Sequence, residues 1–240
     1  MNRPEVHNAL HPPMHSEMEN VWNDYSANRD LWVAILTGEG QKAFSSGNDL
    51  KYTALNKKTS ICDTGFAGLS FRFDLEKPII AAVNGFAMGG GLETALACDL
   101  IIASENASFA LPEVKVGFLA AAGGIQRLTR QIGRSAAIEM LLTGRHVDAS
   151  EALSLGLALK IVKQDQLIDA ALEVANRITL VSPSAVKATK RVLNSMDNDI
   201  NLKSSLRYSR DVVDELRKTE DFKEGVNAFV EKRKPTWKNK

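Results

Sequence analysis

Residues 81–99 read AAVNGFAMGGGLETALACD: an apolar run, the turn pair Asn84-Gly85, consecutive glycines at 89–91, and a helical pattern with Glu93 in its first turn. A strand that passes through a glycine loop into a helix is the local signature of an α/β fold. The glycines admit two uses at this point. In one, they let the backbone approach a ligand, and the N–H groups of the helix start, with the positive end of its dipole, bind developing negative charge as an oxyanion site. In the other, they permit tight packing, and Glu93 occupies a first-turn position where acids are generally favoured.

Upstream, residues 43–50 (AFSSGNDL) follow the β-rich apolar run 31–37 (LWVAILT) and the closing Gly38-Glu39-Gly40. This second glycine-containing loop offers another backbone N–H to the same ligand atom. Ser45 and Ser46 lack a nucleophile-elbow pattern, and beyond the N-terminal segment the only histidine is His146, so the pattern argues against a serine hydrolase. Downstream, residues 107–127 (ASFALPEVKVGFLAAAGGIQR) put Glu113 after Pro112 among apolar neighbours. Such an acid holds its proton to higher pH and suits acid/base work near neutrality. An exposed glutamate at a helix start after a proline is the alternative. Gly123-Gly124 open or interrupt the following helix.

Outward from these stretches, periodicity predicts helices over 16–28, 132–143, 149–155 and 166–181, and strands over 31–37, 78–83, 98–103 and 157–162. Beyond Ser182-Pro183 the strand signals stop and amphipathic helices run to Lys234, before Pro235 and a basic tail. The expected organisation is an α/β core over 1–182 and a C-terminal helical oligomerisation subdomain over 183–240, packed on the core or on a neighbouring subunit. No internal repeat or Ser/Gly linker divides the two.

The 240-residue chain is 44% hydrophobic and 25% charged, the composition of an ordinary soluble domain. Thirty basic and 29 acidic side chains leave a net charge of +1, so no global field draws it to nucleic acid or an anionic membrane. The cluster Lys187, Lys190 and Arg191 reads as a solvated helix face rather than an RNA contact. Cys62 and Cys98 show no metal-ligand spacing and cannot frame a disulfide scaffold, which fits a reducing cytoplasmic compartment. The start, Met-Asn-Arg-Pro-Glu-Val-His, has neither a signal-peptide nor a membrane-span pattern. His7, His11 and His15 recur every four residues, but Pro12 and Pro13 suit a helix's first turn, so no shared helical metal face is expected.

Taken together and in this order, the three stretches resemble the enoyl-CoA hydratase/isomerase (crotonase) family over essentially the whole chain. The segment EGVNAFVEKRKPTWK resembles that family's C-terminal helix, and ASFALPE, GFAGL and KRKPTW resemble its carnitinyl-CoA dehydratase branch. The resemblance implies an α/β fold, the crotonase-type spiral of repeated ββα units, with C-terminal helices that in relatives build trimers and dimers of trimers. It also implies reversible syn addition of water to a trans-2-enoyl-CoA through a stabilised thioester enolate, in the setting of fatty acid metabolism. An isomerase or carnitinyl-CoA dehydratase-type reaction is the alternative on the same site. A catalytically weak acyl-CoA- or RNA-binding protein is the alternative of another class.

Carried onto matching positions, the resemblance makes Glu93 and Glu113 the catalytic acids and the backbone N–H groups of Asn48 and Gly90 the oxyanion hole. Lys51, Phe229 and Lys232 match positions near coenzyme A, the last two contributed in relatives by an adjacent subunit. No metal or separate cofactor is implied, since coenzyme A is part of the substrate; an acyl-CoA ester is the partner, with a homotrimer or hexamer as the assembly. Two departures stand out. Asn2-Arg3-Pro4 follows Met1 directly, where the family usually has a further strand, so a misassigned start or a lost edge strand is expected. Ala120-Ala121 replace a common Pro-Gly, and the extra methyl groups are expected to narrow the acyl or water pocket.

Overall fold

Ile79–Val83 is buried along its whole length, as befits a strand covered on both faces of a parallel sheet. In the computed structural model, which describes residues 1–55, 61–196 and 201–240, this strand, β3, belongs to a sheet with β1 (Ala34–Thr37), β5 (Leu100–Ser104) and β8 (Lys160–Val162), ordered β1-β3-β5-β8. It pairs in parallel with β5, from Ile80 opposite Leu100 to Val83 opposite Ala103. A second sheet, ordered β2-β4-β6-β7, contains β2 (Ala43–Ser45), β4 (Phe86–Met88), β6 (Ser108–Ala110) and β7 (Val147–Asp148). Its first three strands run parallel and β7 is antiparallel.

The chain therefore visits one sheet, then the other, then turns into a helix. β1 and β2 lead to α2 (Leu50–Leu55), β3 and β4 to α3 (Gly90–Leu96), and β5 and β6, through a 3-10 turn at Pro112–Val116, to α4 (Gly124–Ile132). This is the α/β spiral of ββα units that the sequence led us to expect. Asn84 makes the change of sheet possible between β3 and β4. Its buried amide donates to the carbonyls of Gly38 and Gly40 at 3.0 and 2.7 Å and its oxygen accepts the Gly38 N–H at 3.3 Å, so both ends of the buried side chain are paired.

Two compact units result: residues 1–24, 35–72 and 79–173, and residues 25–34, 73–78 and 174–240. The first holds the two sheets. The second holds α8 (Pro183–Met196), α9 (Leu202–Leu216) and α10 (Glu220–Val230), with the end of α7 (Leu167–Thr179). Within it Asp221, only 1% exposed, accepts from the Ser184 hydroxyl at 2.8 Å and from the N–H groups of Lys238 and Asn239 at 2.8 and 3.1 Å. One carboxylate thus ties the start of α8 and the C-terminal tail to α10.

Some boundaries differ from expectation. α1 (Pro12–Ala27) begins ahead of the periodic stretch 16–28, with the two prolines in its first turn as expected, since the first turn needs no proline N–H. The helix expected over 132–143 is broken at Gly133, which has φ of 80° and separates α4 from α5 (Arg134–Thr143). Ala149–Ser154 forms α6. Residues 56–60 lie outside the described residues, as do residues 197–200 in the stretch expected to be helical to Lys234. Among the described residues no helix is long and apolar enough to cross a membrane.

Candidate active site

The first turn of α3 is wedged between two neighbours. A Cβ on Gly91 would stand 2.1 Å from the Ser45 carbonyl oxygen, and one on Gly90 would stand 2.5 Å from the Phe66 ring. Only glycine permits this approach. A Cβ on Gly47 would lie 2.9 Å from the Gly90 nitrogen, so the loop carrying Asn48 and the start of α3 meet. Leu10 donates to the Gly47 carbonyl and accepts from the Asp49 N–H, at 2.7 and 2.8 Å, in a parallel bridge. That pattern turns the N–H of Asn48 itself away from Leu10. Gly90 heads its helix, so its N–H has no intrahelical acceptor. The two donors named from the sequence thus belong to one glycine-lined junction.

Several side chains fix the Asn48 loop. Arg3 donates to Asp49 at 3.0 Å, and Asp49 accepts the Tyr52 N–H at 3.0 Å; the Tyr52 bond foremost, with Arg3 helping, holds the Asp49 carboxyl below its usual range against the effect of burial. Ser45 donates to the Asn8 carbonyl at 2.9 Å and accepts the Gly47 N–H at 3.1 Å. Its hydroxyl has a structural task.

Glu93, on α3, is 4% exposed. Its Oε1 accepts the N–H groups of Ala122 and Gly124, at 2.7 and 2.9 Å, from the entry to α4. Burial pushes its carboxyl up to about 7, with repulsion from Glu113 adding and the two N–H bonds and Arg127 opposing. Glu113 comes from the 3-10 turn after β6. A Cβ on Gly89, whose φ is 54°, would meet Glu113 Oε1 at 2.9 Å. Burial raises the Glu113 carboxyl as well, and its Oε2 is buried without a hydrogen-bond partner among the described residues. Ala120 is buried against Gly124, whereas Ala121 is exposed, so only the Ala121 methyl faces open space.

Asn48, Gly90, Glu93, Glu113 and Lys51 all belong to the first unit, where Lys51 lies exposed on α2. Phe229 and Lys232 belong to the second unit and are exposed. His7 precedes α1, His11 stands before its first residue, and His15 is inside it; among the described residues no group of three or more His, Cys, Asp or Glu side chains can hold a metal ion. Sequence reasoning missed Phe66, Ser70 and Arg127. Phe66 and Ser70 sit in or beside the quoted GFAGL, but no periodicity marks a ring that backs Gly90.

Two carboxyls whose proton affinity burial raises stand beside backbone N–H groups at a helix start on a ββα spiral, and together they form the candidate site. The family model described as enoyl-CoA hydratase/isomerase matches residues 1–240. A carnitinyl-CoA dehydratase of Citrobacter koseri is 41% identical over a 246-residue alignment covering 100% of this chain and 94% of that protein. An enoyl-CoA hydratase structure from Mycobacterium tuberculosis superposes with a TM-score of 0.92 at 35% identity, over 99% of this chain and 93% of that one. Another, from Mycobacterium marinum, gives 0.93 at 35% identity, over 100% and 94%. The chain belongs to the enoyl-CoA hydratase/isomerase family.

Proposed function

We propose that this protein is a hydratase-like lyase that adds water reversibly to a trans-2-enoyl-CoA. The observation that carries the mechanism is the placement of a buried carboxyl, Glu93, and a half-buried one, Glu113, whose charge raises the proton affinity of Glu93, at the glycine junction of Asn48 and Gly90. The N–H groups of Asn48 and Gly90 hold the thioester oxygen. They stabilise the enolate-like transition state more than the ground state, which is what accelerates the step. Glu93 takes a proton from water as it adds at C3, and Glu113 delivers a proton to C2; dehydration reverses the roles. With both N–H bonds on Oε1, Glu93 has its Oε2 left over from that pair for the water.

Lys51 contacts the coenzyme A carrier, and Phe229 and Lys232 contact the carrier bound by a neighbouring subunit, the lysines meeting its phosphates. Coenzyme A enters as part of the substrate. The two free cysteines fit action in a reducing cytoplasm. The 41% identity with a carnitinyl-CoA dehydratase favours a second reading, in which the physiological direction is removal of water from a 3-hydroxyacyl-CoA with a polar acyl group. Steady-state assays with crotonyl-CoA, longer enoyl-CoA esters and carnitinyl-CoA separate the two. Hydration of crotonyl-CoA with negligible turnover of carnitinyl-CoA supports the first, and the reverse the second. Ligand binding without turnover of any of them leaves only a binding protein on this fold.

A further inference from the structure

Arg127 touches the supports of both halves of this site. Its Nη2 donates to the Ser70 carbonyl at 2.7 Å, and its Nη1 to the Ala122 carbonyl at 3.4 Å. The guanidinium folds back over the first turn of α4, where a Cβ on Gly123 would stand 2.1 Å from Nη1. Each carbonyl belongs to a residue with another task. Ala122 gives its N–H to Glu93. Ser70 uses its hydroxyl to accept the Phe66 N–H at 2.8 Å, and the Phe66 ring is what lies against Gly90.

We infer that Arg127 is a positioning residue that locks the loop feeding Glu93 to the turn backing Gly90, so that base and anion cradle keep a fixed mutual geometry. This rests on the roles proposed above for Glu93 and Gly90. A planar fork can donate to two carbonyls in different directions, whereas an ammonium on a flexible stem holds neither direction firmly. The charged groups facing Glu93 are Glu113, from the turn after β6, and Arg127, from α4. The Gly124 and Ala122 N–H bonds do most to keep Glu93 ionisable despite burial, and the positive charge of Arg127 adds a smaller effect in the same direction, against Glu113.

The test compares the parent with Arg127→Gln and Arg127→Lys by two readouts: crotonyl-CoA hydration across pH, and carbon-13 NMR titration of the Glu93 carboxyl, whose signal is identified by its loss in Glu93→Gln. Arg127→Gln should lower kcat by about 10²-fold with KM within about twofold. The Glu93 titration should also move up by about half a pH unit or more. Arg127→Lys keeps the charge but not the fork, so kcat should fall about tenfold while Glu93 titrates close to its parent position. A folded Arg127→Gln with parental kcat and parental Glu93 titration overturns the inference. If that variant does not fold, parental turnover in Arg127→Lys overturns it. A parent that hydrates no enoyl-CoA counts against the hydratase mechanism alone; Arg127 is then decided by the NMR titration, and an unmoved Glu93 refutes it.

Discussion

Glu93, the base proposed above, is costly to the fold at neutral pH and above. Its carboxyl is held near 7 by burial against an ordinary value of 4.5. The fold is therefore favoured below about pH 4.5, where the side chain is neutral in both states, and loses that advantage as pH rises through 7 and the buried group ionises. Glu93→Gln keeps an oxygen to accept the Ala122 and Gly124 N–H bonds and cannot ionise. At pH 8 it should melt several degrees above the parent, a gain of up to about 3 kcal/mol, while kcat for hydration falls by at least about 10²-fold. Parallel thermal melts and rate assays check this, and a variant both less stable and fully active would contradict it. For the parent, kcat/KM should decline as pH falls below about 7, as the base is protonated. Glu113→Gln should also lose hydration, since its acid has no substitute. The sequence singled out these two glutamates as first-turn acids beside glycines and a proline, but that pattern left packing and exposed readings open, and only the family resemblance assigned them roles. Arg127 was not singled out, because its partner Ser70, 57 residues away, is brought to it only by the fold.

At the level of elements, the contact of α3 with β2 and the anchoring of α1 are the points most exposed to substitution. Gly91→Ala would drive a methyl into the Ser45 carbonyl, a rigid backbone atom, and should cost about 1–3 kcal/mol or more; denaturant melts measure it, and an unchanged midpoint would mean that α3 is not pressed on β2. His15 on α1 accepts the Ala67 N–H at 3.0 Å, and Trp22 donates to the Ala67 carbonyl at 3.1 Å, so α1 grips both polar groups of a residue held at φ of 59°. Burial, helped by His11, depresses the His15 imidazole to about 4. Its contribution to stability is present above pH 6.5 and is lost as pH falls from there toward 4, up to about 3 kcal/mol. His15→Gln should therefore flatten the pH dependence of stability in that window relative to the parent, the comparison cancelling the opposite trend of Glu93. The long apolar strands and the C-terminal helices were readable from periodicity. The short strands β2, β4, β6 and β7 were not, because each lies in a glycine-, serine- or charge-containing stretch without an apolar run of its own, unlike the equally short β8, which ends the apolar run 157–162. Gly133 was overlooked because the apolar pattern continues through it.

At the scale of the molecule, the second unit leaves apolar surface that its own helices do not cover. Leu202 is 71% exposed and Phe229 85%, with Leu206 and Val230 also exposed on α9 and α10. Burying such side chains is worth about 1.5–3 kcal/mol each when complete, and large exposed apolar patches mark association sites. The site offers a second reason for assembly. Phe229 and Lys232 stand on α10 and just beyond it, and by resemblance they match carrier contacts that relatives take from an adjacent subunit, so we propose the same supply in trans. We therefore expect a closed homotrimer, or a dimer of trimers, of three or six times the 26.2 kDa chain. Multi-angle light scattering at micromolar concentration measures this mass directly. Leu202→Asp with Leu206→Asp should shift the mass toward the monomer while leaving circular dichroism intact, because both side chains stand in solvent within their own chain. If the C-terminal contacts act in trans, that dissociated variant should also bind coenzyme A esters more weakly, whereas Lys232→Ala should weaken binding without altering mass. A parent that remains monomeric and binds crotonyl-CoA with an affinity insensitive to Lys232→Ala would remove both the assembly and the trans contribution.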